Sequence, residues 1–281
     1  MPITASPLRY PGGKTVYADM MTKIIELNDL GECTFVEAFA GGAGAAITML
    51  LRNDVPSIIL NDYDIAIFAF WNSILTQTDD FLQLLRDTPI TVDEWYEQRE
   101  IYRNEREDLL SLGFATFYLN RTNRAGILAA NPIGGLQQNG QYHIDARFNR
   151  VGLEDKIQAI ADRRDSIALH NLDAVDFIDI LEQDHEEENL FIYFDPPYYQ
   201  KGELLYLNHF DHSQHAVLRD RIVRCEFPWV LSYDDAPEIL NLYPDAPSYK
   251  KDLSYSISQP KKTKELIISN LIMPEYLELI Q

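Results

Sequence analysis

The stretch Phe194-Asp195-Pro196-Pro197-Tyr198-Tyr199 has residue types in an order that can do chemistry. The preceding run Leu190-Phe191-Ile192-Tyr193-Phe194 is apolar and aromatic, so it reads as a buried strand with Asp195 at its C-terminal end. Two prolines then fix the backbone and remove two N–H donors. They leave a rigid carboxylate, backbone carbonyls and the flat ring of Tyr198. The Asp195 carboxylate and the Pro196 carbonyl can each accept one N–H of an exocyclic amino group while the ring holds the base that carries it. Asp195-Pro196-Pro197-Tyr198 is also ordinary turn chemistry after a core strand. Alone, these four residues do not decide between the two readings.

A second candidate lies upstream. Thr34 to Phe39 reads as a short buried strand, Ala40-Gly41-Gly42-Ala43-Gly44 as a glycine turn, and Ala45 to Arg52 as a helix. Strand, glycine turn and helix make a Rossmann-type nucleotide corner. Gly42 and Gly44 fit the dinucleotide fingerprint, but Ile47 occupies its third glycine position. A pyrophosphate cofactor is therefore not expected, and a smaller adenosine-bearing ligand is. Asp62 ends the next strand, Ser57 to Leu60, where an acid can hold ribose hydroxyls. Pro11-Gly12-Gly13-Lys14-Thr15 imitates the end of a phosphate-binding loop. Leu8 stands where the first glycine of that loop belongs, and no strand precedes it, so ATP binding is rejected.

These residues need elements to position them. A helical stretch runs from Asp64 to about Leu75, charged helix-period sequence from about Phe81 to Leu112, and a helix from Leu153 to Arg164. Gly113 to Arg150 is less regular and rich in turn signals such as Asn131-Pro132, Gly134-Gly135 and Asn139-Gly140. Further elements are a strand at Ile167 to His170, helices at Ala174 to Leu181 and Ser213 to Cys225, and a strand at Trp229 to Ser232. Tyr255 to Ser258 and Glu265 to Asn270 read as a terminal hairpin joined by Gln259 to Lys264. The pattern is α/β at both ends around a mostly helical, irregular insertion.

Composition limits the function classes. Hydrophobic residues make up 46% of the 281, so a globular fold is expected. No apolar run approaches the roughly 18 residues that span a bilayer, and Met1 to Tyr10 has no signal-peptide pattern. Cys33 and Cys225 are far apart, with no zinc-ligand spacing, so no metal is expected and a reducing cytoplasm is the default location. The net charge of −20 is awkward for a nucleic-acid enzyme. Its distribution is more telling: residues 109–153 hold Arg121, Arg124, Arg147 and Arg150 against the single acid Asp145. Lys250, Lys251, Lys261, Lys262 and Lys264 form a second basic cluster, read as a solvated face.

With these motifs in view, the chain resembles the D12 class of adenine-specific DNA methyltransferases, which includes the Dam-type enzymes. Pro7-Leu8-Arg9-Tyr10-Pro11-Gly12-Gly13-Lys14 is similar to its N-terminal motif. Phe35-Val36-Glu37-Ala38-Phe39-Ala40-Gly41-Gly42 is similar to its methyl-donor loop, with Ala38 where proline is usual. Asn61-Asp62 resembles the ribose motif, Tyr118-Leu119-Asn120-Arg121-Thr122 the opening of the recognition region, and Asp195-Pro196-Pro197-Tyr198 the catalytic motif. Phe210, His215 and Leu218 fit a helix pattern after it, and Lys264 to Asn270 the closing strand. The seven motifs run in the family's order over nearly the whole chain.

The resemblance implies a Rossmann-like S-adenosylmethionine-dependent methyltransferase sheet, mostly parallel with an antiparallel C-terminal hairpin. Residues 1–75 and 161–281 would form the catalytic domain, and 76–160 an inserted, mainly helical target-recognition domain. It implies S-adenosyl-L-methionine as cofactor, held near Tyr10, Lys14, Phe39, Gly41, Gly42, Asp62 and Asp195. Asp173 is a further candidate there, and equally a helix N-cap. It implies double-stranded DNA as partner, an adenine flipped from the helix, and catalysis by Asp195, Pro196, Pro197 and Tyr198 through direct in-line attack. Arg121, Asn123, Arg124, Arg147 and Arg150 are candidates for DNA contact, and Gln137, Gln138 and Asn139 for reading adenine. The segment from Gly134 to Gly140 departs from the Dam-type hairpin, so the recognised sequence does not carry over. A solitary enzyme and one partnered with a restriction endonuclease both fit. Alternative readings are an RNA or other amino-group methyltransferase, and an inactive acidic binding protein on the same scaffold.

Overall fold

Short runs of β-branched and aromatic residues alternate with helix-period segments along this chain, and that alternation builds a parallel sheet with helices on both faces. The computed structural model describes residues 4–9, 17–185, 189–200, 210–257 and 259–280, with backbone alone for 252–257 and 259–263. The elements are α1 (Ala18–Leu27), β1 (Thr34–Glu37), α2 (Gly44–Arg52), β2 (Ile58–Asn61), α3 (Ile65–Thr76), α4 (Thr78–Asp87), α5 (Val92–Asn104), α6 (Leu109–Thr122), α7 (Arg150–Ala161), β3 (Ile167–His170), α8 (Ala174–Asp184), β4 (Leu190–Phe194), α9 (His212–Ile222), β5 (Trp229–Asp234), α10 (Pro237–Leu242), β6 (Ser248–Ile257), β7 (Gln259–Ser269) and β8 (Glu278–Leu279).

The strand order is β3-β2-β1-β4-β5-β7-β6-β8. Strands β1 to β5 are mutually parallel, and β7 enters antiparallel between β5 and β6. The order reverses between β1 and β4, so the loops after these strands diverge and leave a crevice at their C-terminal ends.

Period-two alternation sorts the strand residues by face. Val36, Ile192, Phe194, Leu231, Tyr233, Leu266 and Ile268 pack with Phe177, Leu181, Leu218 and Ile222 of α8 and α9. Phe35, Tyr193, Val230 and Ile267 pack on the other face with Met21, Ile24, Ile47 and Phe70. Glu37, Asp195, Ser232 and Glu265 share the parity of this second face. The chain therefore places a polar row where the inner apolar face meets the crevice.

The insertion has no core of its own. Phe81, Trp95, Phe114, Phe117 and Tyr118 belong to the same apolar cluster as Met49, Ile67 and Phe70. Phe70 of α3 stacks on Phe117 of α6 with centroids 5.9 Å apart and planes 7° apart. The expected helical stretch from Phe81 to Leu112 is three helices. Thr91 accepts from Glu94 N at the start of α5, and Asp108 accepts from Leu110 N and Ser111 N at the start of α6.

Several elements differ from the sequence reading: α6 stays helical to Thr122 through sequence read as irregular from Gly113, and α10 and β8 are not among the expected elements. Helix α1 had not been expected; it buries Met20, Met21, Ile24 and Ile25. The terminal hairpin is longer than expected, with β7 already paired at Gln259 and β6 from Ser248. Lysines and Pro260 break the apolar alternation that marks a half-buried strand, while main-chain pairing continues regardless.

Gly113 lets α6 approach α3. A Cβ there would lie 2.5 Å from the Ala69 carbonyl oxygen and 2.8 Å from Ser73 Oγ. The gain of about 1 kcal/mol in helix propensity is outweighed by overlap with an unyielding backbone. Gly113→Ala is expected to destabilise by about 2 kcal/mol net, read as a lower urea midpoint of one shared transition for insertion and sheet.

Candidate active site

Asp195 leaves the end of β4 beside Ser232 of β5, whose hydroxyl donates to Asp195 Oδ1 at 2.6 Å. Ser232 Oγ also lies 2.8 Å from the Tyr193 hydroxyl. The loop beyond is fastened at two further points. Asp234 accepts from Tyr199 N at 2.8 Å and Gln200 N at 3.0 Å. The Tyr198 hydroxyl donates to Glu265 Oε1 at 2.5 Å, and the Tyr17 hydroxyl donates to Glu265 Oε2. Behind the loop, Tyr199 packs on His215 with centroids 5.1 Å apart, and the Tyr233 hydroxyl lies 2.8 Å from His215 Nδ1. Burial lowers the His215 pKa to about 4, with His212 adding to the effect, so the ring is neutral.

The row of acids leaves an electrostatic mark. Burial pushes the Tyr193 phenol well up, and the negative charges of Asp195, Glu265 and Glu37 push it further. Tyr17 is raised by burial, then by Glu265, Tyr193 and Asp195. Both phenols therefore stay protonated and act as donors. The corner is acidic and partly desolvated, which favours a cationic ligand centre.

The glycine turn sits one strand away. Gly41 and Ala43 have φ of 46° and 44°, and Ala43 is the left-handed residue at which α2 starts. Gly41 N donates to Asp62 Oδ2 at 2.7 Å, and Asp64 N donates to Asp62 Oδ1 at 2.9 Å. Trp71 Nε1 donates to Gly41 O at 2.9 Å, fixing the turn from α3. Glu37 Oε1 accepts from Ala46 N at 2.8 Å in the first turn of α2. Asn61 joins three loops, donating to Ala38 O and Leu172 O and accepting from Leu172 N. Phe39 meets Phe210 edge-on, with centroids 6.1 Å apart. Asp173 caps α8, accepting from Val175 N at 2.9 Å. It also lines a cleft of about 150 Å³ with Phe210, Ser213, Gln214 and Val217. The cap and the cleft wall are thus one residue's two roles. Tyr10 and Lys14, with the rest of the Pro11 to Thr15 motif, lie outside the described residues.

The arginine-rich segment divides in two. Arg124 and Arg147 are exposed. Arg121 is held internally: its Nε donates to Arg147 O at 2.8 Å, and burial with the charges of Arg9 and Arg147 lowers its pKa to about 9. Three further candidates from the sequence are engaged by hydrogen bonds within the chain. Asn123 is fully buried, accepting from Trp95 Nε1 at 2.6 Å and donating to Ile127 O and Leu128 O. Arg150 donates to Thr88 O at 2.6 Å and to Leu85 O, tying α7 to the end of α4. Gln138 organises its own loop, donating to Ile133 O and accepting from Ile144 N. Gln137 and Asn139 are exposed. Among the described lysines, Lys250 pairs with Asp235 at 2.9 Å, and Lys251 lies over the rings of Tyr17 and Tyr276.

Sequence reasoning missed Glu37, Ser232, Asp234 and Glu265. Glu37, Ser232 and Asp234 are polar residues within otherwise apolar strands, and Glu265 stands where the apolar run Leu266 to Ile268 of β7 begins, all near the crevice. That pattern is a signal for a satisfied, site-facing group.

The sheet order, with its crevice at the β1–β4 reversal, is that of a Rossmann-like, mostly parallel α/β sheet. The sequence matches the D12 class N6 adenine-specific DNA methyltransferase family over residues 10–257, and the chain belongs to that family. It is an adenine-specific DNA methyltransferase. Among solved structures it is similar to the rRNA methyltransferase AviRa from Streptomyces viridochromogenes, at 13% identity and a TM-score of 0.39, covering 92% of this chain and 86% of that one. No curated protein matches it.

Burial raises the Asp62 carboxyl from its ordinary 3.8 to about 7, against the lowering effect of the Gly41 and Asp64 N–H groups. An acid with a raised folded-state pKa binds its proton more tightly folded than unfolded. Its contribution to stability is present at low pH and is lost as pH rises from about 4 to about 7. Asp62→Asn removes this loss. Relative to wild type, its urea midpoint is expected to rise across that window and run parallel above it. A difference independent of pH would contradict the assignment.

Proposed function

We propose that this chain transfers the methyl group of S-adenosylmethionine to N6 of an adenine turned out of duplex DNA, with Asp195 as the principal acceptor of the amino hydrogens. The observation that carries the reading is the Asp195 carboxylate, held by Ser232 at the sheet's reversal point and followed by a rigid Pro-Pro-Tyr turn.

The residues present fit the donor. Asp62 stands beside the Gly41 turn, where ribose hydroxyls can be held. Gly41 and Gly42 give close backbone approach, Phe39 an apolar wall, and Asp173 a polar group in the cleft beside Phe210. The acidic row of Glu37, Asp195 and Glu265 suits a sulfonium charge. By motif position Tyr10 and Lys14 complete the pocket. S-adenosylmethionine supplies an electrophilic methyl when bound.

The chain's own residues act on the base. The N6 lone pair is delocalised into the adenine ring. The Asp195 carboxylate and the Pro196 carbonyl accept the two amino hydrogens and draw the nitrogen toward tetrahedral geometry, which localises the lone pair for in-line attack. Alignment and charge complementarity account for the acceleration. The Tyr198 ring, tethered through its hydroxyl to Glu265, stacks on the everted base. Residues 76–160 form the target-recognition region, with the exposed Arg124 and Arg147 as its cationic contacts. A partner endonuclease and a cytoplasmic location are consistent with this role.

Asp195→Ala is expected to lower methylation of adenine at least about a hundredfold while a cooperative thermal melt still reports a folded protein. Sequencing genomic DNA from cells expressing each form, with detection of modified adenine, gives activity and recognition sequence together. Wild-type modification in the variant would overturn the assignment. Arg124→Ala and Arg147→Ala are each expected to reduce the slope of log affinity against log salt by about one.

A further inference from the structure

We propose that Arg9, Arg121, Arg147 and Lys156 form one phosphate site, which takes a backbone phosphodiester of the duplex where the N-terminal segment meets the insertion. The inference rests on the action on duplex DNA proposed above, and it joins two distant parts of the chain in one contact.

Main-chain carbonyls gather the four cations. Arg9 Nη1 donates to Asn123 O at 3.1 Å. Arg121 donates through Nε to Arg147 O at 2.8 Å and through Nη1 to Pro7 O at 3.4 Å. Lys156 Nζ donates to Ser6 O at 3.4 Å. Residues 6–9 are thereby tied to the last turn of α6 and to α7. The backbone of Arg9 is clamped as well: its N–H donates to Asn120 Oδ1 at 2.7 Å, and its carbonyl accepts from Asn120 Nδ2 at 2.8 Å. Gly126, at φ 78°, permits this close approach, since a Cβ there would lie 2.3 Å from Arg9 O. The charge of Arg9 is therefore preorganised before any ligand arrives.

These bonds bring like charges together without neutralising them. Burial, then the charges of Arg9 and Arg147, lower the Arg121 pKa to about 9. Arg9 is lowered by burial and by Arg147, and Lys156 by burial and by Arg121. Among the described residues no carboxylate forms an ion pair with any of the four. Carbonyl oxygens satisfy N–H groups but carry no net charge. With 44 acids against 24 lysines and arginines in the chain, partners are in surplus, yet none is placed here. Cations held together in a partly buried site, repelling one another, are fitted to an incoming anion. The exposed Arg147 side chain donates to no group among the described residues, so its fork is open. The anion that the substrate supplies is a phosphodiester, whose oxygens match arginine forks.

Two measurements on the full chain separate a phosphate site from structural cations. In the free protein, Arg147→Gln relieves repulsion and is expected to raise the melting temperature by about 1 °C at low salt, a gain that shrinks as salt screens it. In binding to a fluorescent duplex of unmethylated genomic DNA, Arg147→Gln and Arg9→Gln should each reduce the slope of log affinity against log salt by about one. Because the site takes one phosphodiester, the double variant should also lose about one. If Arg9→Gln does not fold, Arg147→Gln decides by its two readouts. A lowered melting temperature in Arg147→Gln would show a structural cation and overturn the inference. So would wild-type slopes in the single variants, or a loss of about two in the double variant, which would mark separate contacts. Inorganic phosphate that raises the melting temperature while the slopes stay at wild type would mark a site for free anions, and also overturn it. Failure of the proposed reaction is distinct: a wild type that binds the duplex with this salt dependence but modifies no adenine would remove that reaction and still support the site.

Discussion

Polar groups at the inner face of a packed sheet must find partners, and in this chain that requirement organises the whole catalytic end. Glu37, Tyr193, Asp195, Ser232 and Glu265 sit where apolar alternation would otherwise continue to the strand ends. An unsatisfied buried group costs about 1–3 kcal/mol, so each must be met. Glu37 takes an N–H from α2, Ser232 links Tyr193 to Asp195, and Glu265 takes hydroxyls from Tyr17 and Tyr198. The same bonds that satisfy the sheet fix the loop after β4. Stability of the sheet and orientation of the Asp195 carboxylate are set by one network.

The arginines illustrate a different constraint. A chain of net charge −20 approaches a polyanion against its own field. Two of the four arginines around the insertion hold carbonyls of neighbouring segments and build the platform. Arg124 and Arg147 are exposed on it. Local placement on that platform compensates for an unfavourable total.

Much of this was legible in the sequence. The strands from Thr34, Ile167, Leu190 and Trp229 were marked by short apolar runs bounded by turns, and the glycine turn and Asp195 by residue type and position. What was hidden depends on long-range pairing. Ser232 and Glu265 look like stray polar residues until β5 and β7 are set beside β4. Asn123 reads as a base-contacting amide because nothing local announces that Trp95 and two carbonyls occupy it. The long terminal hairpin was missed because lysines and a proline conceal main-chain pairing from any pattern of hydrophobicity.

Glu265 has a consequence for biosynthesis. It grips a tyrosine near the beginning of the chain and another two-thirds of the way along, yet it lies on the penultimate strand. A ribosome must therefore extrude β7 before Tyr198 has this anchor. Premature termination upstream of β7 yields a fragment with its early motifs made and Tyr198 without its Glu265 contact.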